Sequence, residues 1–188
     1  MRKIIVFNHI SLDGYFVDKN GQMNWAHSAP QDQEWNTFVS ENAKGSAIFL
    51  FGRITYELMA GFWPTPVAHQ NMPEVAASMN KTPKLVFSRK LEKLNWQNAE
   101  LAKGELVSEM RKLKQQPGDN FVIFGSGTIA AQLAEAGLID EYQLVVNPIA
   151  LGAGRTLLEG LKSCLNLKLT KSRAFSNGNV LLWYVPTT

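Results

Sequence analysis

Apolar residues recur along the chain in runs of strand length, and helical patterns lie between these runs. Four runs are almost continuously apolar, which is typical of strands covered on both faces of a sheet. They are "KIIVFNHI" at 3–10, "AIFLF" at 47–51, "KLVFS" at 84–88 and "NFVIF" at 120–124, and "EYQLVVNPI" at 141–149 is a fifth candidate strand. Strands that alternate with helices predict an α/β layered fold with a largely parallel sheet.

Four segments between these strands have the spacing of helices. In "PQDQEWNTFVSENAK", Trp35, Phe38 and Val39 fall at i, i+3 and i+4. The other three segments are "RITYELMA", "GELVSEMRKLKQQPG" and "TIAAQLAEAG", of which the last ends at a glycine suited to a helix terminus. Residues 61–83 contain four prolines, and we predict a loop with one short helix there.

The end of the chain follows another pattern. Leu165, Leu167 and Leu169 alternate with polar residues, and Asn177-Gly178 then precedes "NVLLWYV". Asn-Gly between two strand-like runs is a strong hairpin signal. The prediction is therefore one α/β/α three-layer domain over 1–188. Its mixed, mostly parallel sheet has eight or nine strands, helices on both faces and a C-terminal antiparallel hairpin.

Composition narrows the class of protein. The 188 residues are 45% hydrophobic and 19% charged, which is ordinary for a globular domain. No apolar run approaches the roughly 20 residues of a membrane helix, and the N-terminus reads as a strand instead of a signal peptide. The single cysteine, Cys164, suits the cytoplasm. With one cysteine and three scattered histidines, we expect no metal site. The net charge of +3 is spread along the chain, so we expect no nucleic-acid partner.

Gly125-Ser126-Gly127-Thr128 stands where a strand becomes a helix. A helix N-terminus has unpaired N–H groups and a partial positive charge, and glycines let a phosphate approach the backbone. The alternative is a tight turn without a ligand. The motif is not GxGxxG, because Ala130 stands at the last position, and no Walker lysine follows.

Two other strand ends carry similar residues. Gly52, Arg53 and Thr55 follow one strand, and Ser88 and Arg89 follow another. An arginine in the first turn opposes the helix dipole, so an anionic partner would explain it, although a surface arginine is the alternative. Ligands of open α/β sheets gather at the carboxyl ends of strands. Three such ends together would suit a cofactor with several phosphates.

Motifs across nearly the whole chain resemble the dihydrofolate reductase superfamily. They are "SLDGYFVDKNGQMNW", "FGRITYE", "LVFSR", "FGSGTIAAQL" and "GLIDEYQLVVNPIALGAGRTLL". The last is similar to a pattern of the reductase domain in the bifunctional riboflavin-biosynthesis deaminase/reductase and its stand-alone relatives, and ordinary dihydrofolate reductases lack it. The resemblance therefore favours the riboflavin-type branch.

The resemblance implies NADPH as the cofactor. Gly52, Arg53 and Thr55 would hold its pyrophosphate and 2′-phosphate side, and Ser88 and Arg89 would flank the adenosine phosphate. The Gly125–Thr128 turn would cap the pyrophosphate. Asp13 and Gly14 would lie in the loop over the nicotinamide, and Trp25 would form a wall of the substrate pocket. The turn with Gly152, Gly154 and Arg155 could bind a substrate phosphate or only reverse the chain, and the resemblance favours a place near the substrate pocket or the dimer contact.

The resemblance also places an active-site acid at Asp32, two residues after Pro30. Such a carboxylate could relay a proton as hydride arrives. The alternatives are that Asp32 only favours the helix dipole, or that Glu34 is the acid, while His27 could also point into the pocket.

The riboflavin-type resemblance implies reduction of a pyrimidine- or pterin-like substrate such as 5-amino-6-(5-phosphoribosylamino)uracil, and a homodimer. A sheet edge formed by "LVVNPIA" with the C-terminal hairpin could supply the dimer contact. The chain has no deaminase motif, which puts a housekeeping riboflavin role in doubt. The other hypotheses are a non-catalytic dinucleotide- or phosphate-binding protein on this fold, and dihydrofolate reductase proper.

Overall fold

The computed structural model describes residues 1–27 and 32–187, which fold around one eight-stranded sheet and a small two-stranded sheet. The strands are β1 (Ile4–Ser11), β2 (Tyr15–Asp18), β3 (Ala47–Gly52), β4 (Lys84–Phe87), β5 (Ala99–Leu101), β6 (Asn120–Phe124), β7 (Glu141–Asn147), β8 (Gly154–Thr156), β9 (Leu167–Ala174) and β10 (Val180–Pro186). The helices are α1 (Gln33–Ala43), α2 (Arg53–Phe62), α3 (Pro66–Asn71), α4 (Pro73–Lys81), α5 (Leu106–Gln115) and α6 (Gly127–Glu135), with a 3₁₀ turn at Asn24–His27.

The large sheet has the order β5-β4-β3-β6-β1-β7-β10-β9. Its first six strands are parallel, and β10 and β9 are antiparallel. This confirms the predicted α/β fold with its C-terminal hairpin, in which Gly178 adopts a φ of +88°. The small sheet pairs β2 with β8.

Helices cover both faces of the sheet. On one face, α5 and α6 pack on a core that includes Ile4, Leu50 and Leu133. On the other face, α2 contributes Tyr56 and α4 contributes Val75 and Met79 to a second core. The other buried residues of this core are Phe49, Phe51, Val86 and Trp96. The aromatic side chains of α1 lie on the same face, against Phe175. Among the described residues, no helix is long and apolar enough to cross a membrane.

The proline-rich segment differs from its prediction, because it holds two helices, α3 and α4, where we expected one short helix in a loop. Each helix begins at a proline, which fits the first helical position because that N–H has no partner within the helix. Thr65 caps α3 through its side chain. Two of the four prolines, Pro66 and Pro73, therefore mark helix starts, and the other two lie outside the helices.

The predicted edge contact is also corrected. β7 lies inside the sheet between β1 and β10, so "LVVNPIA" offers no edge. The hairpin folds β10 back onto β7 and leaves β9 as the outer strand, with β5 at the opposite edge. The short strands β2, β5 and β8 were not predicted, because three or four residues carry too little periodicity to be recognised.

Candidate functional site

Two of the predicted phosphate turns lie side by side and are hydrogen-bonded to each other. β3 and β6 are parallel neighbours, so the turns that follow them emerge at the same edge of the sheet. The Gly52 N–H donates to the Ser126 hydroxyl over 2.9 Å. The Ser126 N–H donates to the Thr55 hydroxyl over 3.0 Å. We call Gly52–Thr55 together with Gly125–Thr128 the paired turns.

The backbone of the second turn needs its glycine. Gly125 and Ser126 have φ of +57° and +52°, the left-handed conformation that only glycine adopts at little cost. A Cβ on Gly125 would lie 3.1 Å from the Thr55 methyl group. Ser126 is the N-cap of α6, although its side chain makes no capping bond to the helix.

The start of α6 presents backbone donors. Ile129 and Ala130 N–H groups bond to the Ser126 carbonyl. Among the described residues, none accepts a hydrogen bond from the N–H groups of Gly127 and Thr128. Thr128 is exposed and Gly127 is buried. Two donors at a helix N-terminus suit an anionic oxygen.

The predicted arginines both have carboxylate partners. The Nη1 of Arg53 donates to the Glu57 carboxylate over 2.8 Å, one turn along α2. Glu57 is thus the anionic partner expected for an arginine at the start of a helix. Arg89 is strongly exposed and pairs with Glu105 over 3.2 Å. Such exposed pairs contribute little stability, so either guanidinium can turn to another anion at small cost.

Ser88 makes a turn just after β4. Its hydroxyl accepts hydrogen bonds from the N–H groups of Lys90 and Leu91, each over 3.0 Å. Because β4 pairs with β3 up to Phe87 and Gly52, Ser88 follows the strand end next to the paired turns. The three predicted strand ends therefore lie along one edge, in the order β4, β3, β6.

Asp13 ties the loop after β1 to the loop after β7. Its carboxylate accepts hydrogen bonds from the Ser11 hydroxyl (2.6 Å) and from the N–H groups of Leu151 (3.0 Å) and Gly152 (2.7 Å). These bonds, that of Ser11 foremost, lower the pKa of Asp13 to about 2. Gly14 closes the turn with a φ of +87°.

The two loops continue into the β2–β8 pair, and we call residues 11–18 with 149–156 the cover. Gly154 pairs with Asp18, and a Cβ there would overlap the Val17 carbonyl at 2.1 Å, so only glycine fits. Arg155 pairs with Glu159 over 3.5 Å. The structure thus joins residues predicted for the cofactor and residues predicted for the substrate into one unit.

The cover also touches the start of α6. A Cβ on Gly127 would lie 3.0 Å from the Leu157 carbonyl and 3.1 Å from the Phe16 ring. The cover and the paired turns therefore bound the same edge of the sheet. Trp25 lies after the cover on the 3₁₀ turn, half-buried, and its indole N–H donates to the Gln22 carbonyl over 3.2 Å.

Asp32 has a structural position that the sequence did not reveal. One oxygen caps α1 by accepting from the N–H groups of Glu34 (2.8 Å) and Trp35 (3.4 Å). The other accepts from the Ser176 hydroxyl (2.9 Å) and the Asn177 N–H (3.0 Å) of the hairpin turn. Burial alone would raise the pKa of Asp32, but the four hydrogen bonds outweigh burial and lower it. Its catalytic role stays a hypothesis, and this carboxylate is held in its ionised form.

The two other acid–base candidates, Glu34 and His27, lie on either side of Asp32 in the sequence. Glu34 is exposed and accepts from the Arg173 guanidinium over 2.7 Å. His27 ends the 3₁₀ turn. Pro30, which carried the spacing argument for Asp32, lies outside the described residues.

An aromatic cluster lies between β1, β6 and α1, and the sequence analysis did not identify it. His9 stands edge-on to Trp35 with 5.7 Å between ring centroids, and Phe7 to Phe124 with 5.6 Å. Every one of these side chains is only half-buried. The cluster comprises Phe7, His9, Trp35, Phe38, Phe124 and the buried Phe175.

Asn8 and His9 connect this cluster to the paired turns. Consecutive strand residues point to opposite faces. Asn8 is buried and its side-chain oxygen accepts from the Gly125 N–H over 2.7 Å. His9 faces Trp35 on the other side, and its Nδ1 lies 3.2 Å from the amide nitrogen of buried Asn147. Two adjacent polar residues inside an apolar strand were the sequence signal for this site.

The described residues contain no group of three or more histidine, cysteine or acidic side chains that could hold a metal ion.

Comparison with protein families matches residues 2–181 to the RibD C-terminal domain. The chain therefore belongs to this reductase-related family.

Individual relatives agree with this assignment. The uncharacterized protein YyaP of Bacillus subtilis (strain 168) is 29% identical over 183 residues, which cover 97% of this chain and 94% of YyaP. A Shewanella sp. PV-4 structure, provisionally named a riboflavin biosynthesis protein, is 26% identical, with a TM-score of 0.75 and 99% of both chains covered.

Two more distant structures share the fold. The deaminase/reductase of Thermotoga maritima is 15% identical with a TM-score of 0.67, covering 99% of this chain and 57% of that one. Dihydrofolate reductase from Enterococcus faecalis, solved with NADP(H), is 12% identical with a TM-score of 0.63, covering 99% and 97%. The predicted resemblance is thereby confirmed.

Proposed function

We propose that this protein is an NADPH-dependent reductase that transfers hydride to a pyrimidine- or pterin-like substrate. The observation that carries the proposal is the pair of hydrogen-bonded turns at the carboxyl ends of β3 and β6. Family membership supports an oxidoreductase, and a relative of the same fold was solved with NADP(H). The two hydroxyls in the paired turns hold the backbone of both turns at a fixed spacing.

The paired turns fit the phosphates of a dinucleotide. The N–H groups of Gly127 and Thr128 would hold the pyrophosphate at the start of α6. Arg53 would neutralise it from the start of α2. Ser88 and Arg89, one strand further along the edge, would flank the phosphate on the adenosine side. When bound, the reduced nicotinamide supplies a hydride to the substrate.

The cover and the aromatic cluster would bound the substrate. Asp13 holds the cover in place and does not itself need to touch the nicotinamide. Half-exposed aromatic rings offer edges and faces to a planar heterocycle. Trp25 and Arg155 remain candidates for the outer wall. The two Gly152 and Gly154 positions act through the cover, because their backbones carry its hydrogen bonds and pairing.

Titration of the protein with NADPH, NADH and NADP⁺ tests the proposal. Energy transfer from the five tryptophans to the reduced nicotinamide reports binding of NADPH and NADH, and calorimetry reports NADP⁺. We expect NADPH to bind more tightly than NADH. Failure of all three to bind would overturn the reductase proposal.

Two arginine variants test which phosphate of the cofactor each side chain contacts. Arg53→Ala should weaken NADPH and NADH alike, because both carry the pyrophosphate. Arg89→Ala should weaken NADPH alone, by about tenfold for one exposed charge-assisted contact. Arg111→Ala is the matched control, because Arg111 is exposed on α5 and bonds to the Ala136 carbonyl. Equal losses in all three variants would point to net charge and not to the assigned contacts.

A cytoplasmic location and a homodimer stay predictions. If a dimer forms through a sheet edge, the exposed strand β9 is the edge that the hairpin provides. Light scattering of the wild type and of a Leu169→Lys variant checks this, since Leu169 is the exposed apolar residue of that strand.

A further inference from the structure

We propose that His9 is the proton donor of this reductase and has the role that the sequence resemblance assigned to Asp32. The inference rests on the proposed function and concerns the same site. Its basis is the position of one imidazole, which belongs to the aromatic cluster and lies near the carboxyl end of the central strand β1, next to the strand that leads into the Gly125–Thr128 turn.

Position is the first reason. β1 lies next to β6, and Phe7 pairs with Phe124, the residue just before Gly125. His9 is two residues further along β1, beyond the last pair of those strands. Its neighbour Asn8 binds the backbone of Gly125 directly. The His9 ring therefore stands one strand away from the turn that would hold the cofactor phosphates, on the face that α1 covers.

Orientation is the second reason. The Asn147 amide nitrogen donates its two N–H groups to the carbonyls of Ile10 (3.2 Å) and Val145 (3.0 Å). Its amide oxygen lies 3.4 Å from Nδ1 of His9, where it can accept from the protonated ring. Asn147 is thus fixed by the sheet and in turn fixes the imidazole. Contact at Nδ1 directs Nε2 to the opposite side of the ring. A histidine held through one nitrogen is suited to transfer a proton through the other.

Comparison with the acids is the third reason. Asp32 gives both carboxylate oxygens to the α1 cap and the hairpin turn, and its lowered pKa keeps it ionised. Glu34 pairs with Arg173 and is exposed. On β9, Arg173 also lies over the Phe38 and Phe175 rings, and Lys171 lies over Trp183, which packs in the same hydrophobic group. The carboxylates there serve as anchors, so the imidazole is the group suited to move a proton.

The chemical step balances with this assignment. The substrate carries a C=N or C=O bond. Its carbon receives the hydride, with both electrons, from the reduced nicotinamide. His9 as imidazolium gives one proton to the nitrogen or oxygen through Nε2. One C–H bond and one N–H or O–H bond form, and the neutral imidazole regains its proton from water.

The first test is turnover with NADPH of 5-amino-6-(5-phosphoribosylamino)uracil and of dihydrofolate, in wild type, His9→Gln and His9→Ala. We expect kcat to fall about 100-fold or more in both variants, with the NADPH Kd within threefold of wild type. Added imidazole should restore part of the His9→Ala rate. The wild-type kcat should decline as pH rises through the range where imidazoles titrate, and His9→Gln should lose that decline.

Controls separate a donor from a structural residue. His69→Gln, on α3 beside Asn80, should leave turnover unchanged. Asp32→Asn tests the competing donor. If Asp32→Asn abolishes kcat at unchanged stability while His9→Gln keeps it within fivefold, the inference is overturned. Loss of the His9→Ala rate without rescue by imidazole and without a changed pH profile also overturns it.

A second readout does not depend on turnover. The ring signals of the three histidines are followed by NMR in the NADP⁺ complex, with His9 assigned through His9→Gln, while lumazine, 5,6-diaminouracil or 2,4-diaminopyrimidine is added. We expect the His9 signals to shift with at least one ring and the His69 signals to stay. No His9 shift with any of the three overturns the inference. If NADP⁺ and NADPH bind, that failure concerns His9 alone and leaves the proposed function standing.

Discussion

α6 and α1 both border the candidate site, and they are held in opposite ways. α6 buries six of its residues in the core, among them Ile129 and Leu133, and begins at the paired turns. α1 has no buried residue, and its aromatic side chains are half-exposed. The helix proposed to hold phosphates is therefore fixed by apolar packing, while the helix beside the proposed substrate rests lightly on the sheet.

Polar contacts at its two ends hold α1 instead. Asp32 anchors its start to the hairpin turn, and Glu34 pairs with Arg173. At its other end, the Ser78 hydroxyl donates to the Ala43 carbonyl. The proposed cofactor side is thus held by core packing, while the proposed substrate side leaves half-exposed aromatic rings that a ligand could cover.

Truncation within each helix should give the largest contrast. Leu133→Ala removes a fully buried side chain of α6 and should lower the unfolding free energy by about 2 to 5 kcal/mol. Phe38→Ala in α1 should cost clearly less, because that ring is already half in solvent. Urea unfolding measures both. Equal losses would show that α1 is as firmly packed as α6.

Removal of the polar anchor should have the next largest effect. Asp32→Ala loses the helix cap and the link to the hairpin, and should lower the unfolding free energy by about 1 to 3 kcal/mol. Glu34→Ala is the matched control two residues away, and should cost less than about 1 kcal/mol as an exposed ion pair. If Asp32→Ala is no more costly than Glu34→Ala, the cap does not hold α1.

The paired turns offer a contrast between two glycines. Gly125→Ala forces a Cβ into the left-handed conformation and towards Thr55, and should cost about 1 to 2 kcal/mol and weaken NADPH binding. Gly52→Ala meets nothing closer than 3.6 Å and has a φ of −81°, so it should cost less than about 1 kcal/mol. Thermal unfolding and NADPH titration check both variants. A larger loss from Gly52→Ala would contradict the geometry of the turn.

Acidification should have the smallest of these effects, and the effect should be confined to the cover. The pKa of Asp13 is lowered from 3.8 to about 2, so its contribution to stability is present above the ordinary value and is lost as pH falls through about 2. The amide proton shifts of Leu151 and Gly152 should titrate with a midpoint near pH 2, while Asp13→Asn shows no such step. Far-UV circular dichroism at each pH distinguishes this from unfolding, and a midpoint near pH 4 would contradict the hydrogen bonds from Leu151 and Gly152 to Asp13.

Besides the motifs that carry the family resemblance, the sequence was enough to predict the longer strands, four of the six helices and the C-terminal hairpin. These elements follow from local periodicity and from turn residues such as Asn177-Gly178, whose preferences hold wherever the chain goes. It also marked Gly52 and Gly125, because a glycine that ends a buried strand is a local signal.

Only the folded chain shows which partners the candidate residues meet. Asp32 meets Ser176 across more than a hundred residues of sequence, and Asp13 meets Gly152 in the same way. His9 stands beside Trp35 only because α1 crosses the end of β1. A hydrogen bond or ring contact depends on distances of a few ångströms between distant segments, and no spacing along the chain records those distances.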